Sequence, residues 1–570
     1  MSVEQRYQKW LNNKSLPEDL KKQLESMDQD QVYDAFYTDL EFGTAGLRGI
    51  LGPGSNRLNV YVIRKATVGF AKYLIRNFKD TKERGVVISH DNRLYSREFT
   101  LECAKVFSSY GIKSFIFDDL RPTPELSFAI RKVHAIGGVM ITASHNPKEY
   151  NGYKVYDEEG CQLVPSKIKP LVEIIANLGD EIGIKYGTDT PAEIITLSKD
   201  VDQDFVNNAL SVQINEDLDK SNFKIVFSPQ HGASLERAKD IFDALKYDVT
   251  YVREQCVHDP LFSATGSPNP EVKAAFDLSM KYAEKVDADL ILNTDPDGDR
   301  IGIAAKNKNG EYQLFTGNQT GALLLHYILM ERRKKGILKS NSVIFDTVVT
   351  SSLGRRIAKF YGVQTESLLT GFKFIGDKIH QYEVSKEKHF EFGYEESYGY
   401  LVSPYARDKD SLQAIVIISE MVNYFLQQGK TLDVVLEDIM KYIGYFDNQL
   451  YSVYFSGANG KVRMNNILNG LRERPITSCL NSKLVKYEDY KVSTGYELAS
   501  KETKTYEITL PKTNLMKFYF EDGSTISIRP SGTEPKCKFY FESVGKNSKD
   551  LEGKTEKMYE ELKNFLGIYA

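Results

Sequence analysis

Gly137-Gly138-Val139-Met140-Ile141-Thr142-Ala143-Ser144-His145-Asn146-Pro147 is the stretch on which the reading of this chain turns. Its first five residues form a short apolar run, and Asn146-Pro147 forces a turn after it. That is the pattern of a buried strand ending in a loop. Ser144 is thereby presented beyond a strand end, where α/β proteins place their chemistry. Three more loops follow short apolar runs further along: Asp295-Pro296-Asp297-Gly298-Asp299-Arg300, Gly393-Tyr394-Glu395-Glu396-Ser397 and Arg529-Pro530-Ser531-Gly532-Thr533.

Working outward, strand-like and helix-like segments alternate. Residues 4–40 have the spacing of an amphipathic helical extension, with Tyr7, Trp10, Leu11, Leu20 and Leu24 on its apolar side. Gly85–Ile88 and Ser114–Phe117 read as strands separated by a helix over 97–109, and a polar stretch around Gly179–Lys199 reads as a boundary. The alternation resumes with strands at Lys224–Phe227, Asp248–Val252 and Asp289–Leu292, and again with Ser342–Phe345, Phe390–Phe392 and an apolar helix over 411–426. Such alternation predicts α/β domains with largely parallel sheets. From about 446 the pattern changes. Lys517–Phe520 and Thr525–Ile528 flank the turn Asp522-Gly523, a hairpin signal that predicts an α+β domain. The expected partition is a helical extension at 1–40, α/β domains at 41–197, 198–311 and 312–445, and an α+β domain at 446–570.

The chain has 570 residues and a formal net charge of −4, so no global basic field points to nucleic acid or an anionic membrane. Its five cysteines are scattered and form no C-x-x-C pair, which predicts a reduced, cytoplasmic protein without a zinc ribbon. The polar segment Met1–Arg6 lacks the apolar core of a signal peptide, and no apolar run approaches the roughly 18 residues of a membrane span.

Asp295, Asp297 and Asp299 alternate in a tight turn that Pro296 and Gly298 permit, offering three hard oxygen ligands to Mg²⁺ or Ca²⁺. An EF-hand is excluded, because its sixth and twelfth positions would fall on Arg300 and Lys306. Arg529, Ser531, Gly532 and Thr533 supply a guanidinium, hydroxyls and an approachable backbone for an oxyanion. Gly429-Lys430-Thr431 and Gly553-Lys554-Thr555 are not P-loops, since Tyr424 and Ser548 stand where the first glycine belongs. No Gly-x-Ser-x-Gly elbow surrounds Ser144. Glu395 and Ser397 can accept and donate hydrogen bonds to vicinal hydroxyls. A serine, a carboxylate cluster, a hydroxyl-reading loop and an anion loop make a kit for moving a phosphoryl group on a sugar.

Together the loops resemble those of the α-D-phosphohexomutase superfamily, over essentially the whole chain and in the same order. Thr142–Pro147 with Tyr150-Asn151-Gly152-Tyr153-Lys154 is similar to the family's phosphoserine loop. Glu395-Glu396-Ser397 and the N-terminal extension look most like the bacterial-type phosphoglucomutases, with phosphopentomutase-like members close. The resemblance implies four domains around a central cleft, three α/β and the last α+β. It implies that Ser144 carries the phosphoryl group and that Asp295, Asp297 and Asp299, with an oxygen of that phosphate, hold Mg²⁺. It implies catalytic roles for Arg48, in the loop Thr44–Gly49, for Lys154 and Arg300, and an assisting role for His145. Glu395, Ser397, Lys409 (within Arg407-Asp408-Lys409-Asp410) and Lys373 would contact the sugar. Arg529, Ser531, Gly532 and Thr533 would hold the phosphate that is not reacting.

The implied reaction interconverts glucose 1-phosphate and glucose 6-phosphate through glucose 1,6-bisphosphate, with a small-molecule phosphosugar as substrate and neither nucleic acid nor membrane as partner. Phosphopentomutase, phosphomannomutase and glucose-1,6-bisphosphate synthase activities, or a non-catalytic phosphosugar sensor, are the alternatives on the same scaffold. Phosphomannomutase and phosphoglucosamine mutase relatives carry a histidine two residues after the sugar-loop serine. Here that position is Gly399. A lysine acting as a base needs a pKa below its ordinary value, which neighbouring cations would supply.

Overall fold

The structure, a computed structural model, describes residues 1–43, 46–187, 190–455, 460–498, 503–531 and 536–568. They form two compact units: Met1–Ile344 with Gly371–Leu432, and Phe345–Thr370 with Asp433–Ala570.

In the first unit the N-terminal segment folds into three short helices, Val3–Leu11, Glu18–Glu25 and Gln29–Phe36. Ser2 with Gln5, and Asp28 with Gln31, form capping boxes that satisfy the free N–H groups at two of their starts. Trp10, Leu20, Leu24 and Phe36 bury one face against Tyr61, and Trp10 Nε1 donates to Glu181 Oε1 at 2.9 Å.

The first sheet has the order Leu47–Ile50, Tyr150–Asp157, Gly137–Ile141, Val86–His90, Ser114–Ile116, Ile194–Thr196. Its first three strands pair antiparallel and the rest pair parallel. Gly137–Ile141 is buried throughout. A Cβ on Gly138 would stand 2.5 Å from Ile130 Cδ1 and 2.9 Å from Val87 O, so only glycine lets the helix Thr123–Lys132 lie this close to the sheet. Ile141 is registered with His90 in the parallel neighbour. The loops after these two strands therefore leave the sheet side by side. Ile194–Thr196 lies inside the polar stretch read as a boundary and forms the edge strand of this sheet.

The second sheet is mixed, in the order Tyr312–Phe315, Ile301–Lys306, Leu290–Thr294, Lys224–Ser228, Asp248–Tyr251. Thr294 pairs with Ile301, so Asp295–Arg300 is the connection of an antiparallel hairpin. Leu290–Thr294 runs parallel to Lys224–Ser228, which places the loop after Ser228 beside that connection. Ala233 N donates to Pro296 O at 2.8 Å across the gap. Another hairpin pairs Glu395 with Gly399 and turns through Glu396-Ser397-Tyr398, with Tyr398 left-handed at φ 66°. Three-residue hairpin loops commonly end in such a residue. The helix Ser411–Gln427 is buried nearly all round, as its continuous apolar sequence requires.

The second unit carries an antiparallel sheet in the order Tyr445–Tyr454, Lys536–Gly545, Thr525–Pro530, Met516–Phe520, Ser482–Asp489, Thr494–Leu498, Thr503–Glu507. The expected hairpin is present, with Tyr519 opposite Thr525. Met464, Leu468 and Leu471 from the helix Gly460–Glu473, and Met558 and Leu562 from Lys554–Leu566, pack on Ile526, Ile528, Phe539 and Phe541. This is the α+β arrangement read from the sequence. No helix among the described residues is long and apolar enough to cross a membrane.

Candidate active site

Ser144 sits just past its strand with φ 52°, a left-handed conformation uncommon outside glycine. Its N–H donates to Thr142 Oγ1 at 2.8 Å, and Thr142 Oγ1 donates to Asp91 Oδ2 at 2.6 Å. Arg93, from the neighbouring loop, donates to the carbonyls of Ser144 (2.5 Å), Asn146 (2.6 Å), Pro147 (2.8 Å) and Tyr150 (2.9 Å). One buried guanidinium thus gathers four carbonyls of the serine loop. Asp91 and Arg93 were missed from the sequence. The signal was available, since His90-Asp91-Asn92-Arg93 follows the adjacent parallel strand.

The serine faces the second sheet's hairpin. Ser144 Oγ donates to Asp295 Oδ2 at 2.7 Å and lies 3.2 Å from His145 Nδ1. The backbone N–H groups of Asp299 and Arg300 donate to Asp295 Oδ1 at 3.1 and 3.0 Å. Gly298, at φ 65°, supplies the turn that folds the loop back on itself. Asp295, Asp297 and Asp299 are all buried, and one carboxylate oxygen from each lies within 4.8 Å of the others. Burial, with Asp297 and Asp299 beside it, pushes the Asp295 carboxyl well up. Burial would do the same to Asp299, but Lys409, Lys154 and Arg300 hold it far below the usual range.

The donor set suits a small hard cation. Asp297 Oδ1 and Asp299 Oδ1 are buried and have no hydrogen-bond partner among the described residues, so two anionic oxygens are left to be satisfied. All the ligands are carboxylate oxygens, with no His or Cys in the cluster. That chemistry favours Mg²⁺ or Ca²⁺ over zinc.

Cations surround the triad. Lys154 Nζ lies 2.7 Å from Asp297 Oδ2 and 3.3 Å from Asp299 Oδ2. Lys409 Nζ lies 3.0 Å from Asp299 Oδ2 and 3.2 Å from Asp408 Oδ1. Base chemistry at a lysine needs a lowered pKa, and the carboxylates beside Lys154 act the other way. Burial pulls Lys154 down, but Asp297 and Asp299 outweigh it and the pKa is raised. Arg300 hydrogen-bonds Glu271, another residue missed from the sequence, and its Nε lies 3.8 Å from Asp299 Oδ1. Arg48 is exposed and donates to Asn146 Oδ1 at 2.9 Å, reaching the serine loop from the strand Leu47–Ile50.

Glu395 is buried and accepts from Gly371 N at 2.7 Å, while Ser397 occupies the tip of its hairpin turn. Lys373 opens the helix Lys373–Ser385, buried, with its ammonium 5.4 Å from the Phe374 ring centroid. Arg529 and Ser531 belong to the second unit, at and just beyond the end of the strand Thr525–Pro530. Ser531 N donates to Lys536 O at 2.7 Å, closing the loop at its base. Gly532 and Thr533 lie outside the described residues, as do Thr44 and Ala45 of the loop that carries Arg48.

Four family models match the chain in order. They are the phosphoglucomutase/phosphomannomutase alpha/beta/alpha domains I (residues 39–181), II (203–310) and III (316–442), and the C-terminal domain (488–554). A phosphoglucomutase of Staphylococcus epidermidis is 38% identical over 515 residues, covering 90% of this chain and 92% of that one. One from Staphylococcus saprophyticus is 35% identical over 559 residues, covering 96% and 98%. Among solved structures, a phosphoglucomutase/phosphomannomutase family protein from Burkholderia thailandensis superposes with a TM-score of 0.67 at 16% identity, over 94% of this chain and 99% of the other. Parafusin, a phosphoglucomutase from Paramecium in an open form, gives 0.67 at 18% identity, over 93% and 95%. At these identities the structural matches speak for the fold alone.

Proposed function

The chain belongs to the phosphoglucomutase/phosphomannomutase family, and from that membership we propose that it interconverts glucose 1-phosphate and glucose 6-phosphate through a phosphoserine at Ser144 and a glucose 1,6-bisphosphate intermediate. The observation that carries this reading is the 2.7 Å contact between Ser144 Oγ and Asp295 Oδ2. It joins a left-handed serine just past a strand end to the buried carboxylate triad.

The roles follow from placement. Asp295, Asp297 and Asp299 would hold Mg²⁺ together with an oxygen of the Ser144 phosphate, where the ion supplies charge neutralisation at the phosphoryl group. Phosphoryl transfer through a loose transition state needs positioning and charge more than covalent help. Arg93 fixes the serine loop. Lys154 and Lys409 contribute ammonium charge, and Arg300 adds a guanidinium held by Glu271. The sugar's O6 bonds to phosphorus as the bond to Ser144 Oγ breaks, and the O6 proton ends on the freed Ser144 Oγ. After the bisphosphate turns over, Ser144 Oγ bonds to the phosphorus on O1, the O1–phosphorus bond breaks, and the serine proton ends on O1. Glu395 and Ser397 read the sugar hydroxyls. Arg529, Ser531, Gly532 and Thr533 hold whichever phosphate is not reacting, which a generic anion loop can do for either end of the sugar. Five free cysteines, four of them buried, fit the reducing cytoplasm in which we place the enzyme.

The test is kcat/KM for glucose 1-phosphate, mannose 1-phosphate and ribose 1-phosphate, with Mg²⁺ and glucose 1,6-bisphosphate present. Glucose 1-phosphate should lead. A higher value for ribose or mannose 1-phosphate would reassign the specificity, and no turnover of any of them would make the chain a phosphosugar sensor.

A further inference from the structure

Phe262 stands in a part of the molecule to which the proposed chemistry gives no role, and its conformation is anomalous. It is a bulky aromatic residue with φ 52°, a region where such residues are outliers. Strain of this kind persists only where the surroundings enforce it, and it clusters where geometry serves function. The enforcing contacts are present. Asp259 Oδ1 accepts from Leu261 N at 2.9 Å, and Asp259 Oδ2 accepts from Ser263 N at 2.8 Å. Phe262 N donates to Asp259 O at 3.1 Å, and Asn92 Nδ2 donates to the same carbonyl at 3.0 Å.

His231 closes the loop from beneath. Its Nδ1 lies 2.9 Å from Val257 O, and its Nε2 lies 3.3 Å from Ala264 N. The ring thus ties Val257 to Ala264 across the loop. His231 is itself left-handed at φ 66°, and it belongs to the Pro229–Ser234 loop that braces Pro296 of the carboxylate hairpin.

The result of this effort is that Leu261 is turned outward, 48% exposed, and Phe262 inward, 4% exposed. The Phe262 ring centroid lies 5.0 Å from Arg93 Cζ. Arg93 is the guanidinium that gathers the four carbonyls of the serine loop. A ring face on a buried guanidinium is an attractive contact and keeps water from competing for its donors.

We propose that Phe262 is a positioning residue for Ser144: held in a strained loop by Asp259 and His231, it covers Arg93 and so fixes the loop that presents the serine. The consequence for turnover rests on the phosphoserine reading above; the consequence for the loop does not.

The experiment compares Phe262→Leu, which keeps apolar bulk but removes the ring face, with Phe262→Tyr, which keeps the ring. Full-length protein is used, and two quantities are read. Amide hydrogen exchange of the peptide spanning residues 142–151 should quicken in Phe262→Leu and stay near wild type in Phe262→Tyr. kcat should fall about 3- to 30-fold in Phe262→Leu, the span from an exposed to a desolvated cation–π contact, with KM and Mg²⁺ affinity within twofold of wild type. Phe262→Tyr should stay within threefold in every quantity. Unchanged exchange at 142–151 in Phe262→Leu would overturn the proposal, and so would equal damage in both variants. If the wild type turns over no phosphosugar, the functional reading fails, and the exchange comparison still decides the role of Phe262.

Discussion

The stem of Lys409 occupies the space that a side chain at residue 399 would need: a Cβ built on Gly399 would stand 2.0 Å from Lys409 Cδ and 2.6 Å from its Cγ. Gly399 closes the hairpin opposite Glu395, and its own φ is not in the left-handed region. Glycine is required here for room and not for backbone freedom. That room lets Lys409 cross the end of the Glu395–Gly399 hairpin and bring its ammonium to Asp299.

Gly399→Ala should therefore act by displacing Lys409. We expect it to lower kcat/KM by about the same factor as Lys409→Ala, and the double variant to be no worse than either single variant. A double-mutant cycle measures this, because residues in contact fail to add. Additive losses would mean that the two positions act separately.

Activity should require a divalent cation, and Asp297→Asn should weaken Mg²⁺ binding by at least the 10- to 100-fold typical of outer-shell changes. The reason is the pair of buried oxygens on Asp297 and Asp299 without hydrogen-bond partners among the described residues. Titration calorimetry on metal-stripped protein gives the affinity. Full turnover by EDTA-treated enzyme without added metal would make the hairpin purely structural.

Much of this site was legible because its chemistry lies on short loops after apolar runs. The run Gly137–Ile141 reads as a strand and becomes one, and the alternating aspartates announce their own cluster. Ile194–Thr196 was not legible, because an edge strand with exposed side chains carries no apolar signal. Glu271 and Phe262 were not legible either. They lie on the irregular segment between the strands Asp248–Tyr251 and Leu290–Thr294, where no periodicity predicts which side chain turns inward. The raised pKa of Lys154 was beyond the sequence for another reason. It depends on two carboxylates 143 and 145 positions away, brought near by sheet topology.

Arg529→Ala should mainly raise KM, with the transfer from phosphoserine largely intact. A contact to the phosphate that is not reacting is similar in the ground and transition states. Loss of a charge-assisted hydrogen bond is worth roughly 1.5–3 kcal/mol, or about 10- to 150-fold in KM. Steady-state kinetics with both phosphosugars provides the check. A collapsed kcat at unchanged KM would instead place Arg529 at the transferring group.

Lys517 in the second unit is buried, donates to Val348 O at 2.6 Å, and has its pKa pulled from 10.5 to about 8 by burial and by Arg355. Below about pH 8 the lysine is charged in both folded and unfolded chains, and the full cost of burying that charge is present. Between about 8 and 10.5 the unfolded chain holds a proton that the folded one lacks, so stability rises with pH across this window. The gain amounts to roughly 3 kcal/mol. Lys517→Met should lack this rise. Urea unfolding of both proteins at pH 7.5 and 10.5 gives the difference, and a gap that does not change with pH would show that Lys517 carries no such cost.

The central claim is that Ser144 carries the phosphoryl group. The most direct measurement loads the enzyme with ³²P on its serine, mixes it with unlabelled glucose 1-phosphate and quenches within one turnover. Label should leave a peptide containing Ser144 and appear first in glucose 1,6-bisphosphate, and Ser144→Ala should neither take up label nor turn over. Label on another residue, or full turnover by Ser144→Ala, would contradict the account.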